Sequence, residues 1–360
     1  QTHSAAYVYD HATIEAKTRA LKGLRSFDQI FYAIKANPHP DILRLVTTAG
    51  LGLECVSQGE VEQVLREVPG LARERILFTP NFAARAEYEF ALAAGVRLTL
   101  DNLHPLEHWQ GLFRGRELIV RVDTGFGRGH HEHVRTAGLH SKFGIPTFEL
   151  EELERLARLA GAKVVGLHAH SGSGIFAVAS WAQTAALLAG LARRFTDVRC
   201  INVGGGIGVP DKSARAPLDL SELDAAIGKV HAAHPALRFW MEPGRYVVAE
   251  SGVLLAVVTQ VKGKGDVRYV GIATGMNSLI RPALYGAWHE IVNLTRLDEP
   301  ATETYTVVGP ICESGDQLGA DRSLPPTVEG DVLLIANAGA YGHVMSSHYN
   351  LRAPAIEIMI

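Results

Sequence analysis

The chain has 360 residues, 47% of them hydrophobic and 20% charged, with 35 basic against 38 acidic side chains. That balance excludes a disordered polymer, a basic nucleic-acid binder and a polybasic membrane-surface protein, and no apolar run is long enough to span a bilayer. Cys55, Cys200 and Cys312 are too few and too scattered for a disulfide framework, and none belongs to a C-x-x-C pair, so a reducing, cytoplasmic setting and no structural zinc are expected.

In chain order, β-rich runs at Ile30–Lys35, Leu53–Ser57, Ile76–Thr79, Leu98–Asp101, Leu118–Asp123, Val164–Ser171, Cys200–Val203 and Phe239–Glu242 alternate with amphipathic stretches such as Glu149–Ala160 and Trp181–Phe195. Eight such units predict a (β/α)8 TIM barrel, with a doubly wound open sheet as the structural alternative. Beyond Arg245 the texture changes. Val247–Val261, Tyr269–Thr274, Tyr305–Val308, Asp331–Ala336 and Ala355–Ile360 are joined by Gly/Pro turns with few helical signals, which predicts a C-terminal antiparallel β domain. Tyr7–Tyr9 is a strand able to join it. The expected divisions are 1–27 for an N-terminal segment joining the β domain, 28–245 for the barrel and 246–360 for the β domain.

In a barrel, chemistry gathers at the C-terminal ends of the strands, and several reactive residues fall there. Lys35 ends the first strand in Tyr32-Ala33-Ile34-Lys35-Ala36-Asn37-Pro38, where partial desolvation favours a Schiff base; alone, it reads more readily as a lysine snorkelling to the surface. Gly204-Gly205-Gly206 follows the seventh strand, and glycines there let backbone N–H groups approach an anion; the bland alternative is a tight turn. Glu242-Pro243-Gly244-Arg245 follows the eighth strand and supplies an inward carboxylate and a phosphate- or carboxylate-binding guanidinium, or simply an ion pair capping the barrel.

His168-Ala169-His170-Ser171-Gly172-Ser173 ends the sixth strand, with both histidines on one face. They suit a metal, a ring stacked on a flat cofactor, or, for His168, a core position. His130-His131-Glu132-His133 reads as a solvated loop. In the β domain, Cys312 within Gly309-Pro310-Ile311-Cys312-Glu313-Ser314-Gly315-Asp316 is able to donate a proton, although an inert turn cysteine would look the same. Arg281-Pro282-Ala283-Leu284-Tyr285 and Gly339-Ala340-Tyr341 are further loop-placed polar groups.

Taken together and in this order, the segments resemble the fold-type III pyridoxal-phosphate (PLP) decarboxylases, the alanine-racemase-like group, with diaminopimelate decarboxylases the nearest pattern. No single segment is specific; the joint occurrence is. The resemblance implies that Lys35 holds PLP covalently, His170 stacks on its ring, Ser173, Gly204, Gly205, Gly206 and Arg245 take its phosphate, and Glu242 faces its ring nitrogen. It implies that Tyr341 contacts cofactor and substrate, and that Cys312 is the general acid. Arg245, Arg281, Tyr285, Glu313 and Tyr341 would bind substrate, the cations taking a distal carboxylate and Glu313 a distal ammonium.

The implied activity is decarboxylation of meso-2,6-diaminopimelate to L-lysine, by a homodimer with shared active sites. The alternatives are a decarboxylase of D- or L-ornithine, lysine or arginine, a racemase of the same fold, a metal-dependent barrel hydrolase using His168 and His170, or an inactive decarboxylase-like binding protein. No resident metal, nucleic acid or membrane partner is expected. Fusion to an aspartate kinase would suit a chain that opens with Gln1.

Overall fold

The computed structural model describes residues 3–125, 141–211 and 215–360. The His130–His133 cluster lies outside them. The strands, in chain order, are β1 (Ala5–Tyr9), β2 (Gln29–Ala33), β3 (Gly52–Cys55), β4 (Ile76–Phe78), β5 (Arg97–Leu100), β6 (Glu117–Asp123), β7 (Ile145–Pro146), β8 (Lys163–His168), β9 (Cys200–Asn202), β10 (Arg238–Met241), β11 (Gly252–Lys264), β12 (Val267–Ile272), β13 (Ile291–Asn293), β14 (Glu303–Val308), β15 (Gln317–Leu324), β16 (Val332–Ile335) and β17 (Ile356–Met359). The helices are α1 (His11–Lys22), α2 (Pro40–Thr48), α3 (Gln58–Glu67), α4 (Arg85–Ala94), α5 (His104–His108), α6 (Leu150–Ala160), α7 (Ala179–Ala192), α8 (Leu220–Ala233), α9 (Arg245–Val248) and α10 (Arg281–Tyr285). Among them, no helix is long and apolar enough to cross a membrane.

The chain forms two compact units. One contains Glu15–Gly208 and Pro217–Gly244; the other contains Gln1–Ile14, Val209–Ala216 and Arg245–Ile360. In the first unit the strands run in the order β5-β4-β3-β2-β10-β9-β8-β6, and pairing of β5 with β6 closes an eight-stranded parallel barrel. β7 adds a two-residue pairing outside β6. The TIM barrel is therefore present, and the open doubly wound sheet is not.

The strand alternation builds the barrel interior in layers. Phe31, Leu77, Ile119, Cys200 and Trp240 form one buried apolar cluster. Two residues further along the same strands, or on their neighbours, stand Glu54, Thr79, Asp101, Arg121, His168, Asn202 and Glu242, each 8% exposed or less. An apolar plug thus carries a polar layer at the C-terminal end of the strands. Gly166 makes room in the plug, because a Cβ there would sit 2.4 Å from Cys200 Sγ.

The second unit is one eight-stranded sheet, in the order β13-β16-β11-β12-β14-β15, with β1 held between β11 and β17. It is mainly antiparallel, as the sequence predicts, but two pairs are parallel: β1 with β17, and β12 with β14. Both parallel pairs join strands separated by long stretches of chain, where a hairpin is impossible. Its core includes Tyr7, Tyr9, Leu254, Val270, Ile272, Tyr305, Leu333 and Ile335.

Candidate active site

Lys35 sits in the 3-10 turn Ile34–Ala36 immediately beyond β2, which ends at Ala33, two residues short of the strand end predicted at Lys35. The turn is pinned by Tyr32, whose hydroxyl donates to the Asn37 carbonyl at 2.9 Å. Lys35 Nζ lies 2.5 Å from Glu54 Oε2, with the lysine side chain 39% exposed and the glutamate 1%. Burial pushes the Glu54 carboxyl up, and the charge of Glu242 adds to this, while Lys35 pulls it down.

Glu242 follows β10 and is buried. Its Oε2 lies 3.2 Å from His168 Nε2, and its Oε1 accepts a 2.6 Å hydrogen bond from Asn202 Nδ2. Burial opposes its ionisation, yet His168, Lys35 and His170 together outweigh burial and hold its carboxyl well below the usual range. Two neighbouring carboxylates are thus driven apart, one toward the acid and one toward the anion, as the same low-dielectric layer treats paired and less well paired charges differently.

Asn202 couples this anion to the glycine loop. Its Oδ1 accepts from Gly204 N–H at 3.0 Å, and Glu242 N–H donates to the Gly204 carbonyl at 2.9 Å. Gly205 N–H donates to His170 Nδ1 at 3.2 Å, and Trp181 Nε1–H donates to the Gly205 carbonyl at 3.1 Å. Burial, together with the charges of Arg121 and Lys35, pushes the His170 imidazole down to about 3, so the ring stays neutral and Nδ1 remains an acceptor.

The loop has no room for side chains. A Cβ on Gly205 would lie 2.1 Å from the Glu242 carbonyl oxygen, and one on Gly206 would lie 2.3 Å from the Gly172 carbonyl oxygen; Gly204 and Gly206 have φ of +68° and +99°. Ser173 is on the facing loop, strapped to this one by Ile175 N–H donating to the Gly206 carbonyl and Gly208 N–H to the Ile175 carbonyl.

Arg121 and Asp101 complete the polar layer, with Arg121 Nη1 3.5 Å from Asp101 Oδ1 and the guanidinium 4.4 Å from the Phe143 ring centre. Sequence reading missed Glu54, Asp101, Arg121 and Asn202. The available signal was a charged or amide residue at an inward position of an otherwise apolar strand, as in Leu53-Glu54-Cys55 and Val120-Arg121-Val122.

The second unit gathers another cluster. The Arg245 guanidinium, at the start of α9, lies 4.8 Å from the Tyr341 ring centre. Tyr341 has φ of +55°, a left-handed conformation that is uncommon for a tyrosine. Arg281, at the start of α10, is buried; burial and the like charge of Arg245 hold its pKa down to about 10, opposed by Tyr341 and Tyr285. Its Nη1–H donates to His289 Nε2 at 3.2 Å, and His289 Nδ1–H donates to the Ala336 carbonyl at 2.8 Å.

Cys312 and Glu313 are exposed, on the loop between β14 and β15. Among the described residues, no hydrogen bond or ion pair joins their side chains to the arginine cluster. The loop is held by buried Asp316, which accepts from Met276 N–H at 2.6 Å and Ile311 N–H at 2.8 Å, and by Asn350 Oδ1, which accepts from Cys312 N–H at 2.6 Å.

The family model described as "Pyridoxal-dependent decarboxylase, pyridoxal binding domain" matches residues 11–249. The chain belongs to the pyridoxal-dependent decarboxylases. Among curated relatives, this family member is 38% identical to a diaminopimelate decarboxylase of Methanothermobacter thermautotrophicus, covering 98% of the chain and 86% of the relative. It is 35% identical to one of Deinococcus radiodurans, covering 98% and 89%. Among solved structures, it is similar to Helicobacter pylori diaminopimelate decarboxylase complexed with L-lysine, with a TM-score of 0.92, 29% identity, and coverage of 100% and 92%.

The barrel unit of this decarboxylase fits a PLP group. A half-exposed lysine adjoins the barrel's polar layer, a glycine cradle too tight for any Cβ follows β9 and faces the Ser173 loop, and the buried Glu242 carboxylate is fixed by two side chains.

Proposed function

We propose that the chain decarboxylates meso-2,6-diaminopimelate to L-lysine, with Lys35 as the PLP-bearing residue. The observation that carries the chemistry is the Lys35–Glu54 pair set in one polar layer with the His168- and Asn202-held Glu242. The substrate reading is supported by the similarity, over nearly the whole chain, to curated diaminopimelate decarboxylases.

PLP, when bound, supplies an aldehyde and a conjugated ring that accepts the electron pair left by the departing carboxylate. Lys35 must be neutral to hold it, and Glu54 Oε2 is placed to take the Nζ proton because its own carboxyl is pushed up by burial. Glu242, held as an anion, would face the ring nitrogen and keep it protonated. His170, kept neutral, presents a flat ring. The Gly204, Gly205 and Gly206 loop, with Ser173 and Arg245, would hold the phosphate, and Tyr341 would contact cofactor and substrate.

Arg281, Arg245 and Tyr285 bind the distal carboxylate, and Glu313 the distal ammonium. Cys312 Sγ returns a proton to the carbon that has lost carbon dioxide. Because Cys312 and Glu313 stand on an exposed loop, the proposed assembly is a homodimer in which this loop serves the partner's site. The three cysteines are free, which suits a reducing compartment.

The test is carbon dioxide release with PLP from meso-diaminopimelate, lysine, ornithine and arginine, for wild type and Lys35→Ala. Release from diaminopimelate in preference to the others, lost together with the near-visible absorbance in Lys35→Ala, is the expected result. Preferential release from another substrate overturns the substrate, and an unchanged variant spectrum overturns the role of Lys35.

A further inference from the structure

A second cluster of ligating side chains lies on α5, which begins three residues beyond Asp101 of the polar layer. Residues four apart on a helix share one face, and His104 and His108 obey that spacing. Their rings stack with centres 4.1 Å apart and planes inclined by 23°. Glu107 lies on the adjoining face, with Oε2 3.8 Å from His108 Nδ1. All three side chains are exposed, and one ligand atom from each lies within 4.8 Å of the others.

His108 Nδ1 is 3.1 Å from the His104 carbonyl oxygen, where Nδ1–H is the donor. That bond fixes the tautomer and leaves Nε2 as the bare nitrogen, so the Glu107 carboxylate, which rests beside Nδ1, must swing to the Nε2 side to share an ion with it. The His104 ring is braced in turn by Trp109, edge-on at 5.2 Å. Bracing matters because an exposed ligand set otherwise loses side-chain entropy on binding.

We propose that His104, Glu107 and His108 bind one divalent transition-metal ion. Two imidazoles and one carboxylate select a borderline cation such as Zn2+, Ni2+ or Cu2+ over Mg2+ or Ca2+, which prefer all-oxygen sites. Three protein ligands leave at least one position for water or another ligand, as in open zinc sites. The ion is independent of the proposed PLP chemistry, and no metal was expected from the sequence.

The test is calorimetric titration of chelator-treated holoenzyme with Zn2+, repeated with Mg2+. H104Q/H108Q is compared with H130Q/H131Q/H133Q, which removes the other histidine cluster visible in the sequence. Zn2+ should bind to wild type and to the second variant with equal affinity. In H104Q/H108Q the affinity should fall by more than the about 10- to 100-fold that loss of an outer-shell partner costs. Glu107→Gln should weaken binding less, and metal-free turnover should be unchanged in H104Q/H108Q. Equal Zn2+ titrations for wild type and H104Q/H108Q, or no Zn2+ binding by wild type, overturn the site.

Discussion

Replacement of Gly205 by alanine should separate cofactor binding from folding. The added Cβ would lie 2.1 Å from the Glu242 carbonyl oxygen and 3.0 Å from its carbonyl carbon, both backbone atoms of the strand end. Close C···O contacts run to about 3.3–3.6 Å, so loop and strand must part by roughly 1 Å. The movement strains three hydrogen bonds at once: Gly205 N–H to His170, Trp181 to the Gly205 carbonyl, and Gly204 N–H to Asn202.

Overpacking of this kind costs about 1–3 kcal/mol. If about 2 kcal/mol of it falls on the cofactor site, the Kd for PLP rises roughly 30-fold. The assay is PLP titration followed by near-visible absorbance, alongside thermal melting of the apoprotein. Gly190→Ala is the control. Gly190 lies in α7, and a Cβ added there would meet nothing within 4 Å, so alanine should leave Kd unchanged and raise Tm slightly. A Gly205→Ala protein that binds PLP within twofold of wild type would refute the cradle argument.

The other predictions are shorter. His289→Ala leaves an Arg281 N–H and the Ala336 carbonyl without their partner, at about 1–3 kcal/mol for each buried group; steady-state kinetics should show KM for diaminopimelate rising more than kcat falls, and an unchanged KM would show that His289 does not position Arg281. Glu60 is pushed up to about 7, by burial first, while accepting a 2.6 Å bond from Val56 N–H. Its folded pKa exceeds the unfolded one, so the folded state binds the extra proton and stability falls as pH rises from the ordinary carboxylate range to about 7. Glu60→Gln should flatten that part of the Tm-against-pH curve, and an unaltered slope counts against the assignment. Cys312→Ala should keep substrate affinity while turnover drops sharply in single-turnover kinetics; full activity removes Sγ from proton return.

All eight barrel strands were legible because each is a short apolar or β-branched run between helical stretches, and parallel strands buried on both faces give that signal cleanly. The β unit was harder. β13 has three residues, and β15 reads Gln317-Leu318-Gly319-Ala320-Asp321-Arg322-Ser323-Leu324, broken by register shifts and by Asp321 at φ +52°, so it shows no alternation to find. The long run Val247–Val261 conceals a boundary: Arg245–Val248 forms a helical turn before β11 begins at Gly252. At the site, strand-end lysine, glycine loop and carboxylate were visible because they punctuate the pattern. Arg121 and Asn202 were not, because one polar residue within an apolar strand is lost in the average, although barrel geometry gives it a buried address.

The placement of β1 has a consequence for synthesis. β1 lies between β11 and β17, and Tyr9 donates its hydroxyl to Glu357 Oε1 at 2.7 Å, so its pairing is complete only after Ile356–Met359 has left the ribosome. At about 5–20 residues per second that delay lasts on the order of tens of seconds, while the barrel's contiguous segments are already available to fold. An edge-seeking strand rich in Ala, Val and Tyr therefore spends its early life without partners, and removal of Ile356–Met359 would leave one of its two edges open for good.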